Sequence, residues 1–301
     1  MNELQEKIIT LKKEKNALIL AHYYQQMEIQ EIADYVCDSY AMARRARDAQ
    51  ENMLVICGVH FMAESAKLLN PEKTVLLPSP GAGCPMADMI KPEDITVLRS
   101  RYPDAAVVCY VNTSAAVKAV SDVCCTSSSA VQIVRSLPEK QVIFVPDRNL
   151  GAFVASHVTD KEIIIFDGCC PIHDNITERD AIAAKKAYPG ARMLVHPECR
   201  EEVARHADYI GSTEGIINEA LTSSAAAFII GTENGVAERL SQLAPEKSFY
   251  TLSDGFICPD MKKTGLNDVY ESLLRGEFEI TLDVGEIAAA GRSLERMVEL
   301  G

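Results

Sequence analysis

The chain has 301 residues, 48% of them hydrophobic, and a formal net charge of −13, which is enough apolar material for a large core divided into two or three units. An acidic balance without a Lys/Arg run excludes a nucleic-acid backbone or an anionic membrane as partner, because both require a basic face. No apolar run approaches the ~20 residues of a membrane span, and "MNELQEKIITLKKEKN" is too polar for a signal peptide, so a cytoplasmic protein with reduced thiols is expected.

In chain order, "ALILAHY", "MLVICGV" and "TVLLPSP" are strand-length apolar runs, with helical spacing in "SYAMARRARDAQ" and "MAESAKLLN" between them. The middle of the chain supplies "AAVVCYV", "QVIFVP" and "EIIIFDG", and the last third "RMLVHP", "AAFIIGT" and "SFYTLSDG". Strand and helix in alternation predict an α/β fold of parallel sheets covered by helices, with ligands beyond the carboxyl ends of the strands. There is no G-x-G-x-x-G and no G-x-x-x-x-G-K-[ST], so ordinary dinucleotide and P-loop readings lose their physical basis.

One register recurs three times. Cys84, Cys170 and Cys258 each close a strand-like run, at intervals of 86 and 88 residues. His22, Tyr110 and His196 precede them by 62, 60 and 62 residues, and Ser39, Ser127 and Thr213, which read as helix openings, by 45, 43 and 45. The middle unit is two residues shorter by both measures, as one deletion between Ser127 and Cys170 would produce. Three similar βαβ-type, Rossmann-like modules around a pseudo-threefold axis are therefore expected. Their segments are 1–90, 91–173 and 174–301, the last with a C-terminal helix.

In "GCCPIHD" the same register selects Cys170, and leaves Cys169 as a neighbour at the strand end. Three strand-end thiols brought to one point form an unusual inventory, since structural zinc takes four ligands and iron–sulfur clusters usually take four cysteines. A 4Fe-4S cluster with three protein ligands leaves one iron open to act as a Lewis acid.

Ser39, Ser127 and Thr213 taken singly are N-caps, although as a set above the sheets they suit carboxylate and phosphate. His22 and His196 stand as core histidines or, with "HYY" and "HPE" beside them, as acid–base groups. Tyr110 and Asn112, two apart on one strand, face the same way. Cys37, Cys57, Cys109, Cys124 and Cys125 read as small buried hydrophobes, and Cys199, without a counterpart elsewhere, as a packed thiol. His173 reads as a support for Cys170 and His157 and His206 as surface residues; His60 and Lys67 carry no role.

"LILAHYYQ", "DSYAMAR", "GVHFMAESAKLLNPEKTVLLPSPGAGC", "CYVNTSAAVKAVSD", "GCCPIH", "HPEC", "GSTEG" and "CPDMKKTGL" together resemble the quinolinate synthase family over essentially the whole chain. The resemblance implies an enzyme with a 4Fe-4S cluster that condenses iminoaspartate with dihydroxyacetone phosphate, losing phosphate and two waters, in de novo NAD synthesis. It implies cluster ligands at Cys84, Cys170 and Cys258. Substrate-binding positions fall on His22, Ser39, Tyr110, Val111, Asn112, Ser127, His196, Pro197, Glu198 and Thr213. Catalytic positions fall on Tyr24, Glu198, His22 and His196, with Glu198 as general base and Tyr24 as proton donor or shuttle. It also implies iminoaspartate supplied by an L-aspartate oxidase or dehydrogenase. Some members carry C-x-x-C-x-x-C at the last ligand, where this chain has Cys258 alone, which puts thiol–disulfide control there in doubt. The readings set against this one are another 4Fe-4S hydro-lyase and a non-catalytic iron–sulfur sensor.

Overall fold

A computed structural model describes all 301 residues, and it resolves the apolar runs into twelve strands. The first sheet holds β1 (Ala17–His22), β2 (Tyr35–Cys37), β3 (Met53–Cys57) and β4 (Thr74–Leu76). The second holds β5 (Ala106–Tyr110), β6 (Val123–Cys125), β7 (Gln141–Val145) and β8 (Glu162–Ile165). The third holds β9 (Arg192–Val195), β10 (Tyr209–Ile210), β11 (Ala227–Gly231) and β12 (Ser248–Thr251). All pairings are parallel, and the spatial order is second, first, third, fourth in every sheet. Parallel neighbours require crossover helices, and the helical patterns supply them, for example Ser39–Asp48 and His60–Leu69 in the first unit. The expectation of an α/β fold with three similar modules therefore holds.

The three strands that the sequence reading left unnamed are β2, β6 and β10, one edge strand per unit. At two or three residues they are too short to show a period, and a side chain replaces part of the missing ladder. Asp34, Asp122 and Asp208 each precede one of them, in "ADYV", "SDVC" and "ADYI". Their carboxylates accept the backbone N–H of Ile19, Val107 and Met193 at 2.8, 2.7 and 2.7 Å. Each aspartate's own N–H returns to the carbonyl of the same residue, at 2.9, 3.0 and 2.7 Å. This reciprocal pin is the same in all three units and fixes where each edge strand begins.

The central strands are buried almost throughout, as in β1 and β5, and one core runs continuously through the first and second units. The sequence reading grouped the C-terminal helix with the third segment; by packing it belongs to the other two. The helix Leu266–Arg275 lies on Glu3–Glu14, and Val284–Leu300 crosses the second unit. Between them the backbone extends the first sheet in an antiparallel sense: Leu77 N–H donates to Phe278 O at 3.0 Å and Ile280 N–H to Val75 O at 2.8 Å. Ser293, on the last helix, donates to Lys118 O at 3.0 Å. Lys118 is itself fully buried, with its ammonium donating to Thr113 O and lying over the Phe61 ring. No helix is long and apolar enough to cross a membrane.

Candidate active site

Each unit sends the carboxyl end of its first strand toward the same place. β1 ends at His22, β5 at Tyr110, and His196 follows β9 directly. Two residues further stand Tyr24, Asn112 and Glu198. The two histidines are held alike: Nδ1 of His22 accepts from the Tyr24 backbone N–H at 3.2 Å, and Nδ1 of His196 from that of Glu198 at 3.3 Å. A nitrogen that accepts has no proton, so each neutral ring carries its hydrogen on Nε2. In His196 that Nε2–H donates to Ser127 Oγ at 3.2 Å. Burial, aided by the neighbouring His196, depresses His22 to about 3. Burial also depresses His196, to about 4, against an opposing pull from Glu198. Both are uncharged donors at neutral pH.

The three hydroxyl residues do not cap their helices. Asp38 caps Ser39–Asp48 by accepting from Ala41 N–H, and Ser212 caps Thr213–Thr222 by accepting from Gly215 N–H. Ser39 and Thr213 occupy the first helical position, so their hydroxyls are released from capping. Ser127 corrects the expectation further: it lies in the turn before Ala130–Ser136 and opens no helix.

The thiols arrive on the loops that follow β4, β8 and β12. Carboxylates two residues past the third strand hold two of these loops: Cys170 N–H donates to Asp147 at 2.9 Å and Cys258 N–H to Glu233 at 3.5 Å. A close backbone approach also requires Gly168, where a Cβ would stand 2.6 Å from Pro146 O. Cys84, Cys170 and Cys258 all line one cavity of about 110 Å³, and Cys169 does not. His22, Tyr24, Ser39, Tyr110, Asn112, Ser127, His196, Glu198 and Thr213 line the same cavity, whose wall contains no Lys or Arg. Val111 and Pro197 are buried outside that wall; Val111 borders a small adjoining space beside Ser39 and Phe61.

Electrostatics sorts these groups into donors and acceptors. Burial alone would raise Glu198, but the His196 and His173 rings and the hydroxyl of Tyr110 hold it down at about 2, as a carboxylate. Burial and the Glu198 charge push the phenols of Tyr24 and Tyr110 well above their ordinary value, so both keep their protons. Asn112 Oδ1 is buried without a hydrogen-bond partner, an acceptor on the cavity wall that a ligand N–H or O–H would satisfy. Burial raises the Cys84 thiol to about 12, and Cys170 and Cys258 are also raised. Three half-buried thiols facing one space become thiolates only beside a cation, and their softness suits iron or zinc. The side chains of Cys170, His173 and Glu198 also place donor atoms within 4.8 Å of one another, a group able to hold a metal ion.

Thr232, Glu233 and Lys262, which sequence reasoning did not single out, join the site, and His173, read from sequence as a support for Cys170, touches more than that thiol. His173 Nδ1 lies 2.8 Å from Glu198 Oε2 and 3.2 Å from Cys170 Sγ. Thr232 Oγ1 lies 3.0 Å from His173 Nε2 and 2.7 Å from the Tyr24 hydroxyl. Glu233, fully buried, pairs at 2.9 Å with Lys262. Thr232 and Glu233 follow β11 directly, so the rule that places ligands at strand ends would have found them. The other histidines and cysteines stand as read: His157 is exposed, His206 pairs with Glu178 at 2.8 Å, and Cys37, Cys57, Cys109, Cys124, Cys125 and Cys199 are buried.

Comparison with known proteins agrees with this geometry. A family model described as "Quinolinate synthetase A protein" matches residues 6–299. The quinolinate synthase of Caldicellulosiruptor saccharolyticus is 50% identical over 300 residues, covering 100% of this chain and 99% of the relative. That of Methanoregula boonei is 50% identical over 297 residues, covering 99% and 98%. That of Clostridium perfringens strain SM101 is 49% identical over 299 residues, covering 99% of each. With bacterial and archaeal relatives at half identity along the full length, and three equivalent strand ends meeting at three thiols, the chain belongs to the quinolinate synthetase A family.

Proposed function

We propose that this protein is a quinolinate synthase that condenses iminoaspartate with dihydroxyacetone phosphate, with loss of phosphate and two waters, in de novo NAD biosynthesis. The observation that carries the reading is the convergence of Cys84, Cys170 and Cys258, one from each unit, on the cavity lined by His22, Tyr110 and His196. The three thiolates are proposed to hold a 4Fe-4S cluster; when bound, it supplies one iron without a protein ligand as a Lewis acid.

The side chains of the chain do the rest. Nε2–H of His22 and of His196 donate to substrate oxygens, and the amino ends of Ser39–Asp48 and Thr213–Thr222 offer unpaired N–H groups to carboxylate or phosphate. These devices stand in for the Lys and Arg that the wall lacks. Glu198, held as a carboxylate, takes protons as general base, and Tyr24, which keeps its proton, donates. Asn112 Oδ1 accepts from a substrate N–H or O–H, and Ser127 and Thr213 complete the polar wall.

Iminoaspartate delivered by an L-aspartate oxidase or dehydrogenase, and a cytoplasmic location in which all ten cysteines stay unpaired, belong to the same reading. Anaerobic purification with iron and sulfide analysis, followed by a product assay with both substrates, tests it. Quinolinate formed in proportion to bound iron is expected. A plain thiol protein without iron, or an iron–sulfur protein that forms no quinolinate, overturns it, the second outcome favouring the sensor or hydro-lyase.

A further inference from the structure

The three cysteine loops are held by one repeated pair of ties, and the first unit lacks half of it. The third residue past the third strand, His60, Arg148 or Asn234, donates its backbone N–H to the carbonyl two residues before the cysteine, at 2.8 Å to Ala82, 2.8 Å to Gly168 and 2.9 Å to Phe256. The residue before it supplies the second tie, where Asp147 accepts from Cys170 N–H and Glu233 from Cys258 N–H. In the first unit that position is Val59, 25 residues before Cys84, as Asp147 and Glu233 stand 23 and 25 before their cysteines. An alkyl side chain accepts nothing, so the Cys84 loop keeps only the backbone tie of the pair.

The missing acceptor comes from another unit. Asp260, two residues past Cys258, accepts at 3.3 Å from the N–H of Gly83, which immediately precedes Cys84. Lys263 Nζ donates to the same carboxylate oxygen at 2.7 Å and to Gly81 O at 2.6 Å. Gly83 N–H also meets Gly81 O at 3.0 Å, so four groups close a ring across the two units. The Asp260 side chain is only 14% exposed, and a hydrogen bond to a charged acceptor keeps its strength where water is kept away.

We infer that Asp260 is a positioning residue for Cys84, supplying from the third unit the acceptor that the other two cysteine loops receive from their own units. The inference rests on the reading of Cys84 as a metal ligand, and deepens it by making the place of that ligand depend on the docking of the third unit against the first.

Asp260→Ala, Asp260→Asn and Lys263→Met, compared with the unaltered protein after anaerobic purification, test it by two measurements: the rate at which a chelator removes iron, and backbone hydrogen exchange in peptides containing Gly83 and Cys170. Asp260→Ala is expected to lose iron about tenfold to a hundredfold faster, as removal of a partner behind a ligand does. Its Gly83 peptide should exchange faster while the Cys170 peptide is unchanged. Asp260→Asn, which keeps an acceptor oxygen for Gly83 N–H, should recover most of both. Lys263→Met, which releases Gly81 O, should move the Gly83 peptide in the same direction, and it takes the place of the alanine variant should that not accumulate as folded protein. Iron loss and exchange at the unaltered values in Asp260→Ala overturn the inference. So does exchange that rises equally in the Cys170 peptide, the mark of general loosening, and so does an asparagine variant as labile as the alanine. Exchange needs no iron, so the two readings fail separately: a protein that binds none overturns the cluster whatever the exchange shows, and an unmoved Gly83 peptide overturns the part given to Asp260 even where iron is bound.

Discussion

His22 and His196 each give Nδ1 to a backbone N–H two residues on and keep Nε2–H for the cavity, so protonating either ring breaks a buried hydrogen bond. Their folded values of about 3 and about 4 lie below the ordinary 6.5. Between those limits the unfolded chain binds more protons than the folded one, so stability rises with pH through that window and is lost on acidification. Stability should fall between pH 7 and 5 by about 1–2 kcal/mol per histidine, and His196→Gln should remove its share of that fall; denaturant titrations at both pH values measure it. Glu198→Gln and Tyr24→Phe should load iron normally and turn over about a hundredfold to ten-thousandfold more slowly. If Glu198 serves only to pair with His173, turnover per loaded molecule would stay near normal while stability dropped. For the adjacent thiols, iron analysis should find the full content in Cys169→Ser and most of it lost in Cys170→Ser, as in the same change at Cys84 or Cys258; equal loss at 169 and 170 would undo the register.

At the scale of elements, a cap and a functional hydroxyl stand side by side and can be separated. Ser212 satisfies the N–H of Gly215, while Thr213 beside it faces Tyr24. Ser212→Ala should cost about 1 kcal/mol of stability and leave the rate per folded molecule unchanged, whereas Thr213→Val should slow turnover at nearly unchanged thermal stability. A thermal melt and a rate measurement on both variants check the pair. The strand-end loop of the second unit depends on Gly168 in a different way, through the space left for Pro146 O. Gly168→Ala should displace the Cys170 loop and lower iron content, which distinguishes a requirement for close approach from mere flexibility.

Across the whole molecule, the three cysteines proposed as ligands come one from each of the units that the sheets keep apart. The three sheets share no strand, and the C-terminal helix ties only the first two units together through contacts such as Ser293 with Lys118. The third unit has small cores of its own, one of them shared with Tyr23 of the first. Metal bound across the units as proposed would therefore supply folding energy for their docking. Removing iron anaerobically should lower the thermal transition by several degrees, on the scale of 1 kcal/mol per 2–4 °C for a chain of this size. An unchanged transition would mean that the interfaces hold without it.

What the sequence determined by itself is whatever depends on spacing along the chain. The 86- and 88-residue intervals of Cys84, Cys170 and Cys258 brought out three units, their strand-end residues and the three cysteines that line the cavity, because repeated modules carry equivalent residues at equal separations. The apolar runs of the central strands were legible because burial on both faces leaves a continuous signal. Edge strands such as Tyr209–Ile210 were not, being held by one aspartate and too short for a pattern. Only the tertiary structure decided which side chains from different units touch. Tyr24 meets Thr232 across 208 residues of chain, a contact no local period encodes. The same holds for the C-terminal helix: the helix itself was expected, but its partner is set by the surface left uncovered on the first two units, which exists only once the sheets are formed.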